Sequence, residues 1–390
     1  MDEQVAALGG IRVLDLGRVL SGPFCGRILA DLGAEVIKIE SAAGDDGRHF
    51  GPFHEGTSSY HRLLNRNKFG ITLDLKSDEG RRTLTALVRR SDVLVENFRP
   101  GVIDRLGFSP DRLLEINPRL VAVSISGFGR TGPLSDLPAY DLIVQAMSGL
   151  MSATGPDGGP GTRIGVSIGD IVPGMYAATA VLAALHQRER SGRGQHVDVA
   201  MFDGLLSVLE SVAMRALLTD EPIAPTGSHH AISAPFGTFA TRDEPIAIAV
   251  ANDPLFAALA SALGRPGWTG DARFRTDAER GRHRHELRTE LEAALAGWTR
   301  DEAIEVLSAA GVPCGPVLGV RESLGHAQAA ARGMVRTEAD GFPTLGNGFR
   351  MAGSREDTMI APALGQHNDL VAGWVGEPVR TGGRGENDDV

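Results

Sequence analysis

The sequence predicts an α/β fold with a mainly parallel sheet that is covered by helices on both faces. Short segments rich in Val, Ile and Leu alternate with helical segments up to about residue 200. This alternation is typical of βαβ units, in which a helix connects two parallel strands. The predicted strands are 11–16, 34–40, 71–75, 92–96, 120–126 and 196–200, and the predicted helices between them include 21–31, 78–90 and 111–116.

The stretch from Gly165 to Asp203 contains the helix around which the rest of the chain is organised. A segment rich in Ala, Val and Leu follows Asp170, and Pro173 falls in its first turn, where a missing N–H group is tolerated. Apolar residues recur at helical spacing, which indicates a helix with one tightly covered face. These residues are Met175, Ala178, Leu182 and Leu185. A further apolar helix is predicted at 205–218.

The carboxylate of Asp170 has two interpretations. Most Asp residues at such a position cap the helix by accepting hydrogen bonds from its first free N–H groups. Alternatively, Asp170 is a nucleophile, because a carboxylate that is ionised near neutral pH attacks an activated acyl group without a neighbouring base. The two roles are compatible, since a helix N-terminus also holds an anion in place.

A second, smaller and mostly helical domain is predicted after residue 220. The segment 221–230 is typical of a linker, and 236–250 has the pattern of a β-hairpin. Thr299 and Glu302 have the spacing of a capping box. His283 and His285 stand among arginines, so a solvated helix face is expected there rather than a metal site.

The C-terminal part of the chain is predicted to return to the first domain. Residues 341–361 have the pattern of a β excursion. Residues 381–390 contain almost no apolar side chains, so this tail is predicted to be disordered.

Composition excludes several classes of function. The 390 residues carry a formal net charge of −10, which argues against nucleic acid as the main partner. Cys25 and Cys314 offer neither a disulfide framework nor a metal-binding spacing, so a cytoplasmic location is expected. No signal peptide is recognised, and no apolar run of the roughly 18 residues that a membrane span needs is expected. The missing G-x-G-x-x-G pattern after the first strand argues against a nicotinamide cofactor.

A set of short motifs occurs in order along the chain. They are 13–16 (VLDL), 22–23 (GP), 31–40 (DLGAEVIKIE), 44–46 (GDD), 65–68 (NRNK), 96–101 (ENFRPG), 126–129 (SGFG), 139–141 (AYD), 149–151 (GLM), 169–170 (GD), 192–195 (GRGQ), 311–316 (GVPCGP) and 364–367 (LGQH). The ordered set, which covers about residues 9–370, resembles the family III CoA-transferases of the CaiB/BaiF type. It is most similar to the branch that takes CoA from succinyl-CoA and gives it to another carboxylic acid.

The resemblance implies a fold and an assembly. A large Rossmann-like domain is built from both chain ends, residues 1–220 and 331–380, and a small α+β domain lies at 221–330. Members of the family form interlocked homodimers, in which each subunit is threaded like a link of a chain. No permanently bound cofactor and no metal are implied, because coenzyme A enters as part of the acyl-CoA substrate.

The resemblance also implies a chemistry for Asp170. Its carboxylate attacks the thioester of an acyl-CoA, which gives an acyl-aspartyl anhydride, and the released CoA thiolate then forms an aspartyl-CoA thioester. A small carboxylic acid completes the exchange. The implied CoA-binding residues are Leu20, Ser21, Leu73, Lys76, Asn97, Phe98, Arg99, Arg105 and Tyr140. Lys76, Arg99 and Arg105 suit the phosphates of CoA, although an exposed Arg is often part of a surface ion pair. Lys68 is a weaker candidate of the same kind.

Two departures from the family pattern concern substrate choice. Formyl-CoA-type members have Gln where this chain has Leu20 and Arg where it has Ser41, and they carry a glycine run that is not found between residues 220 and 236. These departures argue against formate or oxalate exchange. His229 and His230 occupy that region instead, and a loop histidine exposed to water is expected more often than one that contacts substrate.

Two other functions are alternatives to transfer. An α-methylacyl-CoA racemase of this fold needs a His directly before an Asp, but the chain has Tyr140 before Asp141. Tyrosine, with an ordinary pKa near about 10, is a poor base at neutral pH. The chain is alternatively a non-catalytic CoA-ester-binding protein, which the presence of Asp170 argues against.

Overall fold

A computed structural model describes residues 6–351 and 359–376 of the chain. The tail at 381–390 lies outside the described residues, as does part of the predicted β excursion. The strands are β1 (Arg12–Asp15), β2 (Glu35–Glu40), β3 (Phe53–His54), β4 (Thr57–Ser58), β5 (Lys68–Thr72), β6 (Val93–Glu96), β7 (Val121–Ser126), β8 (Gln195–Ala200), β9 (Phe236–Phe239), β10 (Ile246–Ala249), β11 (Cys314–Pro316), β12 (Val335–Thr337) and β13 (Pro343–Leu345).

The helices follow in the same chain order, with short 3₁₀ turns at Asp46–His49, Pro266–Gly270 and Asn368–Leu370. They are α1 (Ser21–Asp31), α2 (Ser59–Asn65), α3 (Asp78–Val88), α4 (Val102–Arg105), α5 (Pro110–Ile116), α6 (Asp141–Met147), α7 (Leu150–Ala153), α8 (Ile168–Ser191), α9 (Met201–Ser207), α10 (Glu210–Leu218), α11 (Asp253–Ala262), α12 (Asp277–Arg282), α13 (Arg284–Leu295), α14 (Arg300–Ala309), α15 (Val320–Gly325), α16 (Ala327–Ala331) and α17 (Val371–Gly376).

The central sheet has six strands in the order β5-β2-β1-β6-β7-β8, and every neighbouring pair is parallel. The prediction of an α/β fold with a parallel sheet is therefore confirmed. Counted along the chain, these strands have the order 3-2-1-4-5-6, which is that of dinucleotide-binding folds. The order reverses between β1 and β6, and ligands of such sheets bind outside the carboxyl ends of the strands at that point.

Two predicted elements differ from the observed ones, whereas α1 has the predicted bounds. The strand predicted at 71–75 forms at Lys68–Thr72, because Lys68 Nζ donates to Asp15 Oδ2 (2.7 Å) and the pair is buried. The helix predicted at 205–218 is divided into α9 and α10, since Glu210 has a left-handed backbone with φ of 52°. Both differences come from tertiary or backbone features that the apolar pattern does not contain.

Helix α8 is part of the core on one face of the sheet. Ala177 and Val181 are fully buried in the same apolar cluster as residues of α1 and the strands. Helix α8 is 24 residues long and contains an 18-residue window with a mean hydropathy of 1.6, so it also meets the criteria for a membrane span. The expectation that the chain has no such run is therefore wrong, although core helices meet the same criteria and α8 packs as one.

The chain divides into two compact units. Of the described residues, those up to 150, those from 164 to 214 and those from 333 onward form the first unit, and residues 151–163 and 215–332 form the second. Residues 151–163 had been assigned to the large domain by the sequence. In the second unit, β9, β10 and β11 form an antiparallel sheet that packs with α11, α13 and α14. The Thr299–Glu302 capping box is present at the start of α14.

The C-terminal part of the chain completes the first unit, as the family resemblance implied. Trp374 Nε1 donates to Glu35 Oε1 at 3.1 Å, and Arg62 Nε donates to Glu338 Oε2 at 2.7 Å. The Glu338 side chain is fully buried and that of Arg62 is nearly so. The segment 335–345 is therefore attached to α2 by a buried ion pair and by the Arg62 guanidinium, which lies over the Phe342 ring.

We expect Arg62→Ala to lower the free energy of unfolding by about 3–5 kcal/mol, because it leaves the Glu338 carboxylate buried without its cation. Urea denaturation measures the change. Arg112→Ala is the matched control, since the Arg112–Glu115 pair (2.9 Å) is exposed on one helix face. That control should change the stability by less than about 1 kcal/mol. Equal effects of the two substitutions would contradict the account of how the C-terminal segment is attached.

Candidate active site

An open cleft lies at the switch point of the sheet, in the first unit, and the space in it and at its mouth amounts to about 1020 Å³. The loops that follow β1 and β6 form one side of it, and the first turn of α8 contributes Asp170. It is lined by Arg18, Val19, Ser21, Asp46, Asn97, Phe98, Arg99, Pro100, Val102, Ile125, Ser126, Gly127, Pro138, Ala139, Tyr140, Asp170 and Met201. The structure thus brings the predicted nucleophile together with part of the predicted CoA site.

Asp170 is the third residue of α8 and not its capping residue. The helix begins at Ile168, the preceding residue is Ser167, and no side chain caps the helix there. Among the residues that the structure describes, no group donates a hydrogen bond to the Asp170 carboxylate, whereas its backbone N–H donates to Ser167 O (3.1 Å). The capping interpretation of Asp170 therefore has no support in the structure. The carboxylate is half-buried and faces the cleft without a partner.

The environment of this carboxylate makes it a weak acid. Burial is the main cause and the nearby negative charge of Asp141 adds to it, and together they raise the pKa of Asp170 from 3.8 to about 7. Asp170 is therefore less ionised at neutral pH than an ordinary carboxylate, and about half of it is protonated at pH 7. A carboxylate with a raised pKa is also more basic, so its ionised form is a better nucleophile.

Asp141 is the residue that holds the start of α8. It is buried at the N-terminus of α6, where Gly169 N donates to its Oδ1 at 2.9 Å and Gln145 Nε2 donates to it at 2.9 Å. A Cβ on Gly169 would lie 2.7 Å from the Val144 side chain, so only glycine fits between the two helices. The 139–141 motif marked Asp141 as typical of the family, but its contact with the residue before Asp170 was not visible in the sequence.

Asn97 fastens the loop after β6 to the turn between β1 and α1. Its Oδ1 accepts from Arg18 N at 2.6 Å, and its Nδ2 donates to Arg18 O and to Ser21 Oγ, both at 2.9 Å. The predicted CoA contact of Asn97 thus coexists with a structural role. The turn lies close to α8 as well, since a Cβ on Gly174 would be 2.8 Å from Ser21 O.

A second cavity of about 840 Å³ adjoins the first, because Arg18, Phe98 and Val102 line both. Leu73 and Lys76 line this second cavity. Most of the predicted site residues therefore line two adjoining cavities. Ser21, Asn97, Phe98, Arg99 and Tyr140 line the Asp170 cleft, Leu73, Lys76 and Phe98 line the second cavity, and Leu20 (buried) and Arg105 (exposed) line neither.

The predicted phosphate-binding cations have no acidic partner. Lys76, Arg99 and Arg105 are exposed, and their side chains form no ion pair with any residue in 6–351 or 359–376. Neighbouring arginines behave differently, since Arg18 pairs with Asp46 and Arg130 pairs with Asp104, each at 2.8 Å. The surface ion-pair interpretation therefore does not apply to Lys76, Arg99 or Arg105.

Lys68, the weaker phosphate candidate, is excluded by its position. Its side chain is fully buried and Nζ donates to Asp15 Oδ2 (2.7 Å), Pro23 O (2.9 Å) and Asn65 Oδ1 (3.0 Å). All three donor positions of the ammonium group are used. Lys68 therefore stabilises the interior beneath α1, and the sequence could not distinguish this role because two of the three partners, Asp15 and Pro23, lie far away in the chain.

Tyr60 is a residue that sequence reasoning missed. The phenol of this α2 residue is half-buried, with its ring edge-on to Phe50 at 5.8 Å between centroids. Burial raises the pKa of Tyr60 above its usual range, and the negative charges of Asp170, Asp45 and Asp141 raise it further. The phenol therefore stays protonated, as a donor, in the electrostatic field of Asp170. No local signal in 57–62 pointed to this placement.

His229 belongs to the second unit and is not a loop histidine in water. Its Nε2 contacts Arg288 Nη1, and its ring lies edge-on to Phe239 at 5.9 Å between centroids. Burial and the Arg288 charge lower the pKa of His229, which keeps the ring neutral. His283 pairs with Glu286 on an exposed helix start, and no group of metal-ligating residues occurs within the described part of the chain.

The chain matches CoA-transferase family III over residues 8–368, and it therefore belongs to that family. It is 44% identical over 346 residues to an acetyl-CoA:oxalate CoA-transferase of Acetobacter aceti, a match that covers 88% of this chain and 89% of that protein. It is 38% identical over 386 residues to a succinate–glutarate CoA-transferase of Agrobacterium fabrum, with 95% and 96% covered. A CaiB/BaiF family crystal structure from Brucella suis matches with a TM-score of 0.83 at 37% identity, covering 95% of this chain and 100% of that one.

The family resemblance is thus confirmed, and the protein is a CoA-transferase that acts on acyl-CoA substrates. The relatives differ in the acids that their names give. Identity to the oxalate transferase, 44%, exceeds identity to the succinate–glutarate transferase, 38%.

We expect Asp170→Asn to stabilise the protein increasingly as the pH rises. The wild-type folded state holds Asp170 with a pKa of about 7, above its ordinary value of 3.8, so folding loses stability between those pH values. The stability difference between variant and wild type should grow by about 2–3 kcal/mol from pH 5 to pH 8. Urea denaturation at both pH values measures it. Asp203→Asn, at an exposed position, is the control and should not reproduce the trend; a pH-independent difference for Asp170→Asn would contradict the raised pKa.

Proposed function

We propose that this CoA-transferase moves CoA from an acyl-CoA, with succinyl-CoA as the donor, to a small free carboxylic acid, and that Asp170 holds the CoA as a covalent thioester between them. The observation that supports this role most directly is the unpartnered, half-buried carboxylate at the cleft. A structural carboxylate in such a place would accept hydrogen bonds or pair with a cation. One that does neither is available to react.

The exchange proceeds in four balanced steps. The Asp170 carboxylate attacks the thioester carbonyl, so an anhydride forms and CoA thiolate leaves. The thiolate attacks the Asp170 carbonyl of that anhydride, which gives an aspartyl-CoA thioester and releases the donor acid. The acceptor carboxylate attacks this thioester to form a second anhydride and frees the thiolate again. The thiolate then attacks the acceptor carbonyl, which yields the new acyl-CoA and restores Asp170.

The surroundings of Asp170 suit these steps. Each step exchanges one activated acyl group for another, so the protein must exclude water rather than supply energy. A pKa of about 7 leaves enough ionised carboxylate at neutral pH for the first attack. Arg99 at the cleft and Lys76 at the second cavity, which form no ion pair with the described residues, provide charge for the phosphates of CoA. No observation favours the racemase, since Asp141 is occupied by Gly169 and Gln145.

We expect Asp170→Ala to bind acyl-CoA with an affinity close to that of the wild type but to lower the exchange rate by at least about a thousandfold, as loss of a covalent nucleophile does. Mass spectrometry of exchange between acyl-CoA donors and a panel of short carboxylic acids, oxalate and glutarate among them, measures the rate and identifies the acids. Calorimetric titration with a non-reacting CoA thioether checks binding. Exchange at the wild-type rate by the variant would remove Asp170 from its proposed role.

The proposed assembly is the interlocked homodimer of the family. Large apolar side chains on α6 and α8 support an interface, because Leu142, Met147 and Met175 are 51%, 48% and 52% exposed in the single chain. Light scattering after size-exclusion chromatography should give twice the chain mass of 41.2 kDa. A monomeric mass at micromolar concentration would contradict this assembly.

A further inference from the structure

The backbone of Val19 is the most strained point at the Asp170 cleft. Its φ is 62°, in the left-handed region, where the branched side chain of valine crowds the backbone. Val19 is also one of the residues that line the cleft with Asp170. A conformation of this kind persists only where the surrounding structure enforces it.

A buried ion pair supplies that enforcement. Asp45 Oδ1 accepts from Val19 N at 3.0 Å and from Gly47 N at 2.8 Å, and Asp45 Oδ2 accepts from Lys38 Nζ at 2.7 Å. Lys38 Nζ also donates to Gly17 O, two residues before Val19. The side chains of Lys38 and Asp45 are each 1% exposed. The Lys38–Asp45 pair thus fixes the backbone on both sides of Arg18, at Gly17 and at Val19.

The same pair is itself fixed by a wider network. Asp45 N donates to Glu40 Oε1 at 2.9 Å, and Arg48 donates to both oxygens of Glu40 at 2.8 and 2.6 Å. The Lys38 charge, together with hydrogen bonds from Gly47 and Val19, keeps the pKa of Asp45 below its ordinary value, so the carboxylate stays ionised. The position of Asp45 is therefore set by its contacts with Lys38 and Glu40 of β2, and not by the turn around Val19 that it holds.

The conformation of Val19 determines where α1 begins. Ser21, two residues on, is the first residue of α1 and lines the cleft, and its backbone carbonyl lies against Gly174 of α8, one turn after Asp170. A change of φ at Val19 would therefore displace the start of α1 relative to Asp170. Displacements of about 1 Å at a reacting centre can cost a hundredfold in rate.

We propose that the buried Lys38–Asp45 pair is a positioning device for the transfer reaction, which acts by holding Val19 in its left-handed conformation so that the start of α1 and Asp170 keep their spacing. This inference rests on the proposed function of the Asp170 cleft. Lys38 and Asp45 line the second cavity and not the cleft, so their effect on the chemical step passes through Val19.

Glycine at position 19 gives a specific test, because glycine adopts a positive φ without being held there. We expect Asp45→Ala to lower kcat by about tenfold to a hundredfold, as a small misplacement of reacting groups does. Adding Val19→Gly should bring kcat back to within about threefold of that of Val19→Gly alone, since the held conformation is then intrinsic to the chain. The Lys38→Met/Asp45→Ala double variant, which leaves no unpaired buried charge, serves in place of Asp45→Ala if the single variant does not fold.

The matched control is Asp31→Ala, at the other end of α1. Asp31 forms an equally buried pair with Arg66 at 2.8 Å but has no contact with the turn. If Asp31→Ala lowers kcat, adding Val19→Gly should not restore it. The effect of the Asp31→Ala/Val19→Gly double variant on kcat should equal the product of the two single effects. Failure of Val19→Gly to rescue either Asp45 variant, with Asp170→Ala still inactive, would overturn the positioning role and leave the proposed function in place. Activity of Asp170→Ala would overturn the proposed function instead.

Discussion

The cleft of this protein depends on a carboxylate that is held partly out of water without a partner. A pKa raised from 3.8 to about 7 means that ionised Asp170 destabilises the folded state by about 4 kcal/mol at most above pH 7. That cost is tolerated because α8, which carries Asp170, buries a continuous apolar face against α1 and the sheet. The same burial raises the basicity of the carboxylate.

The position of the carboxylate follows from the topology of the sheet. The order of the six strands reverses between β1 and β6, so the loops that follow them diverge and leave a crevice. Side chains from distant parts of the chain then fix the turn after β1, Asn97 from the loop after β6 and Asp45 from the segment after β2. Asp141 holds the start of α8 through Gly169. The surroundings of Asp170 are thus held by polar contacts of three side chains, and Lys76 and Arg99, which line the two adjoining cavities, form no ion pair with the described residues.

Much of the fold could be predicted from the sequence because the first unit is built from short apolar strands and amphipathic helices. Helix α1 was predicted with its observed bounds, since its neighbouring strands and Gly33 delimit it locally. The strand β5 was predicted three residues too late. Its first residue, Lys68, is buried, but sequence reasoning expects a lysine at the surface. The break before α10 depends on the backbone of Glu210, which carries no signal in residue type.

The site was predictable only in part for a related physical reason. Asp170 and the cations at 76, 99 and 105 were found through motifs whose residue types suit acyl and phosphate chemistry. Three properties of the site depend on distant positions. The pKa of Asp170 depends on burial and on Asp141, and the protonated state of the Tyr60 phenol depends on burial and on the charges of Asp170, Asp45 and Asp141. The turn at Val19 depends on Asp45. Lys68 was misassigned because only the folded chain brings Asp15 to it.

Trapping the covalent intermediate tests the central claim most directly. The protein would be incubated with an acyl-CoA donor and hydroxylamine, digested, and analysed by mass spectrometry of the peptide that contains residues 164–188. The account predicts conversion of the Asp170 side chain to a hydroxamate, dependent on the donor. An unmodified Asp170 peptide, together with a donor-dependent hydroxamate on a different carboxylate, would contradict it.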